Sequence, residues 1–132
     1  RKGEQLAANS HVSVTFPWYG LERQVHIEGT VTKVSAGRSD AYFDSRPRGS
    51  RIGAVVSQQS RPIESREALE RAFAEAEAFY AGKEPERPAW WGGYAVTPLR
   101  VEFWQGRESR LHDRLLYTRL PEGLWRLERL AP

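Results

Sequence analysis

Apolar and polar residues alternate at both ends of this chain, whereas its middle follows a period near 3.6. Residues 11–18 read His-Val-Ser-Val-Thr-Phe-Pro-Trp, which places Val12, Val14 and Phe16 on one face of a strand. Pro17 either ends that strand or marks it as an edge. After a turn at Tyr19-Gly20, residues 23–34 form a longer strand with Val25, Ile27, Gly29, Val31 and Lys33 on one face. The short gap predicts an antiparallel hairpin. Residues 1–8 read as a short helix that stops near Asn9-Ser10.

The middle of the chain is helical in pattern. Residues 36–46 predict a helix with Tyr42 and Phe43 on its inner face, and Pro47 separates it from a second short helix over 48–56. Ser65 is a good N-cap for a helix over 66–81, with Gly82 as its stop. Its apolar stripe is Leu69, Ala72, Phe73, Ala76 and Tyr80, flanked by the i,i+4 pairs Glu67–Arg71 and Arg71–Glu75. Strand patterns resume over 91–96 and, after Pro98, over 100–104. Residues 115–119 and 125–130 predict a closing hairpin around Pro121-Glu122-Gly123. About six strands with helices inserted after the second predict a single mainly β domain over 1–132, a small antiparallel barrel or sandwich.

Composition narrows the function classes. The chain has 132 residues, no cysteine and no stretch apolar enough for a membrane helix, so disulfides, thiolate metal sites and a helical span are excluded. A reducing compartment is permitted, and the cytoplasm is the expected location. The net charge is +3, with acidic and basic residues interspersed, which argues against nucleic acid as a partner. All but three of the 20 basic residues are arginine, the side chain suited to planar anions. There is no methionine and the chain opens on Arg1-Lys2-Gly3, so upstream sequence is expected. His11 and His26 lie in no metal-ligand spacing, and no metal is expected.

Candidate chemistry gathers at residues 102–114, where an aromatic pair, a Gly turn, three arginines and a histidine fall together. Arg110, His112 and Arg114 alternate, so in a strand all three share a face. Three cationic or potentially cationic groups on one face need an anion opposite or open solvent. Tyr42, Arg46 and Ser50 fall at spacings of four and four, a hydroxyl–guanidinium–hydroxyl set that can cradle phosphate or can be ordinary helix-end residues. Gln59-Ser60 in a polar loop, Gln24 inside a strand and Arg1-Lys2 at a helix start can each meet a ligand or only solvent.

Several motifs, in order and over nearly the whole chain, resemble the pyridoxamine 5′-phosphate oxidase family. They are Phe16-Pro17-Trp18, Leu21-Glu22-Arg23-Gln24-Val25, Ser45-Arg46-Pro47-Arg48, Trp91-Gly92-Gly93-Tyr94, Val101-Glu102-Phe103-Trp104-Gln105-Gly106, Arg110-Leu111-His112-Asp113-Arg114 and Glu128-Arg129-Leu130-Ala131-Pro132. The resemblance implies an FMN-binding split β-barrel, antiparallel and Greek-key-like, here incomplete at its N-terminus, and a homodimer with FMN at the subunit interface. It implies oxidation of pyridoxamine or pyridoxine 5′-phosphate to pyridoxal 5′-phosphate with O2 as acceptor. Arg1, Lys2, Gln24, Gln59, Ser60, Trp104 and Arg114 match FMN-contact positions. Tyr42, Arg46, Ser50, Arg110 and His112 match substrate-contact positions, with Arg110 and His112 expected at the chemistry and His112 as the candidate base. Val55 departs from the aromatic frequent at its position, and a further N-terminal portion of the family precedes the region matched. Two alternatives remain: a non-catalytic flavin or pyridoxal-phosphate binding module, and an FMN-dependent reductase of another substrate. Arg110-Leu111-His112 speaks against the first, and the Tyr42, Arg46 and Ser50 set against the second.

Overall fold

The computed structural model describes residues 2–132; the expected flavin contact Arg1 lies outside the described residues. The chain falls into two compact units, one of residues 33–94 and one of residues 2–32 with 95–132.

The second unit is built on a five-stranded sheet. Helix α1 (Lys2–Ala8) leads into β1 (His11–Trp18), a 3-10 turn at Tyr19–Leu21, and β2 (Arg23–Lys33). Strands β3 (Tyr94–Gln105), β4 (Asp113–Arg119) and β5 (Trp125–Arg129) complete it, in the order β1-β2-β3-β4-β5. The pairs β1–β2, β3–β4 and β4–β5 are antiparallel. The fold is mainly β with inserted helices, the split-barrel class the motifs imply. Within this sheet each strand neighbours its sequence neighbour, a meander, and no Greek-key-like crossing occurs among the described strands.

Five strands appear where six patterns were expected, because residues 94–105 run as one strand through Pro98. The register with β4 begins only at Arg100, so at Pro98 that side of β3 has no ladder bond to lose. Pro17 is tolerated likewise, since β1 is the sheet's outer strand. Gly29 has a stricter reason. A Cβ there would overlap the Thr97 carbonyl oxygen and come within 3.0 Å of the Pro98 Cα. Only hydrogen fits between β2 and β3 at this point.

The first unit holds α2 (Ala36–Asp44), α3 (Arg48–Val56) and α4 (Arg66–Phe79). Ser35 caps α2 by accepting from the Arg38 N–H, and Ser65 caps α4 by accepting from the Ala68 N–H at 3.1 Å. Helix α4 ends two residues earlier than its pattern predicts, and Gly82 takes a left-handed φ of 73° just beyond it. The Arg48 guanidinium donates to the Tyr80 and Lys83 carbonyl oxygens and so satisfies that helix end. On α4 the ion pair seen is Arg66–Glu70 at 2.7 Å rather than either pair through Arg71. The core of this unit is Phe43 and Ile52, both fully buried. Phe43 is inward as expected, but its neighbour Tyr42 is 65% exposed, because successive helical side chains diverge by about 100°.

Candidate functional site

The second unit carries a cavity of about 370 Å³ lined by aromatic residues Trp18, Phe103 and Trp104 together with Arg23, Gln24 and Asp113. Two of the expected flavin contacts, Gln24 and Trp104, therefore share one wall system. Arg23 donates to Gln105 Oε1 at 2.6 Å, and Gln105 donates in turn to the Leu21 and Glu22 carbonyl oxygens. These bonds fasten the β2 entry to the end of β3, and the Gly106 N–H adds a bond to the Glu22 carbonyl oxygen at 2.7 Å. Glycine suits this close approach, since a Cβ at Gly106 would come within 2.9 Å of the Glu22 Cβ, which cannot swing aside as the carboxylate can.

Trp104 and Arg114 are direct partners in the β3–β4 register. Arg114 makes a forked pair with Glu102, Nε to Oε1 at 2.7 Å and Nη2 to Oε2 at 3.1 Å, and its Nη1 donates to the Ala131 carbonyl oxygen. Three of its five N–H groups are thereby used, and the other two have no partner among the described residues. Glu102 was not among the expected site residues; its place diagonal to Arg114, two residues along β3 from Trp104, is set by strand register, which only the fold reveals.

The Arg114 hydrogen bonds hold the Glu102 carboxyl below its ordinary value of 4.5 despite partial burial. A carboxylate whose pKa is lowered by folding stabilises the protein above its unfolded value, and that stability is lost as pH falls through the folded value. Glu102→Gln is thus expected to lower the melting temperature at pH 7. The gap to wild type is expected to close as pH falls below about 4.5. Thermal unfolding followed from pH 7 to pH 3 checks this; a gap that stays constant with pH contradicts it.

The expected single face of Arg110, His112 and Arg114 is corrected by the structure. Only Arg114 is in a strand; Arg110 lies in a 3-10 turn (Glu108–Arg110) and His112 in the link to β4. Ser109 and Arg110 both have left-handed φ, 57° and 62°, which breaks the alternation. His112 instead packs against Trp104, with ring centroids 4.8 Å apart. That contact joins an expected flavin position to an expected substrate position. Arg110 is exposed.

The first unit holds the other expected set. Tyr42 stacks on Trp91 at 6.0 Å, and the Arg46 guanidinium lies over the same indole at 5.1 Å. Arg46 is half-buried, and its Nη1 is buried without a hydrogen-bond partner among the described residues. An N–H donor kept from water without an acceptor costs free energy, so the position suits an incoming anion. Ser50 is exposed in the first turn of α3. Trp91, missed as a site residue, is the platform of this set. Arg87 fixes it, donating from Nη1 to the Trp91 carbonyl oxygen and from Nε to Asp40, both at 2.6 Å.

Gln59 and Ser60 lie exposed in the turn closed by the Arg61 N–H to the Gln58 carbonyl oxygen, with Ser60 at φ 67°. Lys2 is exposed at the start of α1. Among the described residues no three His, Asp or Glu side chains gather as metal ligands, and no helix is long and apolar enough to cross a membrane.

Comparison with known proteins bears on this geometry. A family model described as pyridoxamine 5′-phosphate oxidase matches residues 1–80, and one described as the pyridoxine 5′-phosphate oxidase C-terminal dimerisation region matches residues 91–132. Pyridoxine/pyridoxamine 5′-phosphate oxidase of Bacteroides fragilis is 61% identical over 132 residues, which are 100% of this chain and 56% of that protein. Its counterpart from Rubrobacter xylanophilus is 56% identical over 100% of this chain and 60% of its own length. The chain thus spans less than two thirds of these relatives. Among solved structures, PhzG from Burkholderia lata in complex with tetrahydrophenazine-1-carboxylic acid superposes with a TM-score of 0.91 at 30% identity, covering 100% of this chain and 64% of that one. A pyridoxamine 5′-phosphate oxidase-related, FMN-binding protein from Nostoc punctiforme shares the fold, with a TM-score of 0.71 at 16% identity, over 99% of this chain and 68% of that one. By the match of its first 80 residues to the family model, the chain belongs to the pyridoxamine 5′-phosphate oxidase family.

Proposed function

We propose that this chain carries out FMN-dependent oxidation of pyridoxamine or pyridoxine 5′-phosphate to pyridoxal 5′-phosphate, with O2 as acceptor, as a single-domain subunit of a cytoplasmic homodimer. The observation that carries the reading is the Trp104–His112 contact beside an aromatic cavity. The cavity fits a flavin in kind: aromatic walls for a planar ring system, and the Gln24 amide for its polar edge. Gln24, Trp104 and Arg114 would hold the ring end, and Lys2, Gln59 and Ser60, with Arg1, the remainder. Bound FMN supplies acceptance of a hydride equivalent from the substrate carbon and its later return to O2.

The chain's own residues supply binding and orientation. Arg46 meets the substrate phosphate with a guanidinium already stripped of water on one nitrogen, and Tyr42 and Ser50 add hydroxyl donors. Arg110 and His112 meet the ring end and set the reacting carbon. The dimer is supported by the match of residues 91–132 to a dimerisation region and by large apolar side chains left open on the sheet, among them Trp18, Phe103 and Leu127. PhzG, at 30% identity, is the weaker guide to substrate than the oxidases at 54–61%.

The test is pyridoxal phosphate formation by protein showing a flavin band near ~450 nm. His112→Ala and Arg110→Ala are each expected to lower turnover about tenfold or more while FMN affinity changes little. Wild-type turnover in both variants would sink the assignment.

A further inference from the structure

The link from β3 to β4 holds two adjacent non-glycine residues, Ser109 and Arg110, in the left-handed region, which L side chains rarely adopt. Such a link persists only if its surroundings hold it. Its first residue after Gly106 does so at both ends. The Arg107 side chain donates from Nε to Asp113 Oδ2 at 2.8 Å, and Asp113 Oδ1 accepts from Arg129 Nη1 at 2.6 Å. Thus β3's exit, β4's first residue and β5 are tied through one carboxylate. The Arg107 backbone N–H, meanwhile, donates to His112 Nδ1 at 3.1 Å. A backbone N–H can only donate, so Nδ1 must present its lone pair, and the proton of the neutral ring sits on Nε2. Trp104 against the ring face limits its rotation.

We propose that Arg107 is a positioning residue: its N–H selects the Nε2–H tautomer of His112, and its guanidinium, through Asp113, keeps the link closed around that bond. His112 then meets a ligand as a hydrogen-bond donor through Nε2, directed at an acceptor oxygen of a ring-bearing substrate. Its basic lone pair is spent inside the link, so it is not the proton acceptor that its residue type suggests. The ligand in this statement rests on the oxidase reading above; the tautomer does not.

The deciding experiment is long-range proton–nitrogen NMR of the intact protein labelled with 15N-histidine, at a pH where the ring is neutral. Spectra of a His112→Gln variant identify the His112 signals among those of the other histidines. Wild type is expected to show a proton on Nε2 and none on Nδ1. Arg107→Ala keeps the N–H but frees the link, and is expected to shift His112 toward a mixture of tautomers; Arg107→Lys is expected to restore the wild-type pattern. Arg107 is an exposed residue, so the variants should fold, and Asp113→Asn gives the same test from the other side of the ion pair. A wild-type proton on Nδ1, or an Arg107→Ala pattern identical to wild type, overturns the proposal. If the oxidase reading holds, Arg107→Ala also lowers kcat about tenfold with KM nearly unchanged, and His112→Gln, which keeps a donor, outperforms His112→Ala. Absence of turnover on vitamin B6 phosphates would count against the oxidase reading alone, since the ring pattern is read without turnover.

Discussion

Arg46→Ala is expected to lower kcat/KM for pyridoxamine 5′-phosphate by about 10²–10³-fold, equivalent to roughly 3–4 kcal/mol, without lowering the melting temperature. The two halves of this expectation have one cause. Arg46 holds a buried Nη1 that has no acceptor among the described residues, with its guanidinium over Trp91. In the folded chain that donor is a liability, because its water has been removed and nothing replaces it. On the proposed reading, a phosphate oxygen would supply the missing acceptor and a compensating charge in a place where water screens poorly. Removing the guanidinium therefore removes a ligand contact and a folding cost together. Arg46→Lys keeps the charge but not the planar fork or the stacking on Trp91, and is expected to fall between the two. Steady-state kinetics on phosphorylated and unphosphorylated substrate check the assignment, since unphosphorylated pyridoxamine should be almost indifferent to Arg46. Equal losses on both substrates, or a melting temperature that falls by several degrees, would count against it.

The largest loss of stability is expected from Gly29→Ala. The added methyl would meet the backbone of Thr97 and Pro98, and backbone within a paired strand cannot swing aside as a side-chain tip can. Over-packing of this kind costs about 3 kcal/mol, or a melting temperature lower by about 10 °C in a chain of this size. Gly20→Ala is the matched control, because nothing lies within 4 Å of a Cβ at that position. Its melting temperature is expected to stay within a degree or two of wild type. If Gly29→Ala melts with wild type, β2 and β3 do not approach each other as described.

What could be read from residue order was whatever depends on near neighbours. Ser35 and Ser65 announce helix starts because capping is settled within three residues. The alternation over residues 11–18 announces β1 because a strand's faces follow directly from a period of two. Pro98 was misleading: whether a proline breaks a strand depends on which neighbour needs its missing N–H, and that is known only once β4's register is known. The alternation of Arg110, His112 and Arg114 failed for a related reason. Two left-handed residues, neither of them glycine, turn the chain where no local signal marks a turn. In the site, the arginines and aromatics were legible as candidates by chemistry alone. Their partners were not: Glu102 under Arg114, Trp91 under Arg46 and Asp113 beside Arg107 are set by register and loop packing.

The bond from Arg87 to the Trp91 carbonyl has a consequence for how this region tolerates change. Residues 83–88 read as a charged, proline-bearing connector, the sort of segment in which sequence drifts freely. Its charges are not equivalent. Glu86 is exposed, whereas Arg87 sits within the segment with one arm on Asp40 and the other on the backbone beneath the indole. Glu84 is held as well, by Arg51 at 2.7 Å, and Pro85 is buried, so drift is freest at Glu86; a change at Arg87 would be felt first as a misplaced tryptophan under Arg46.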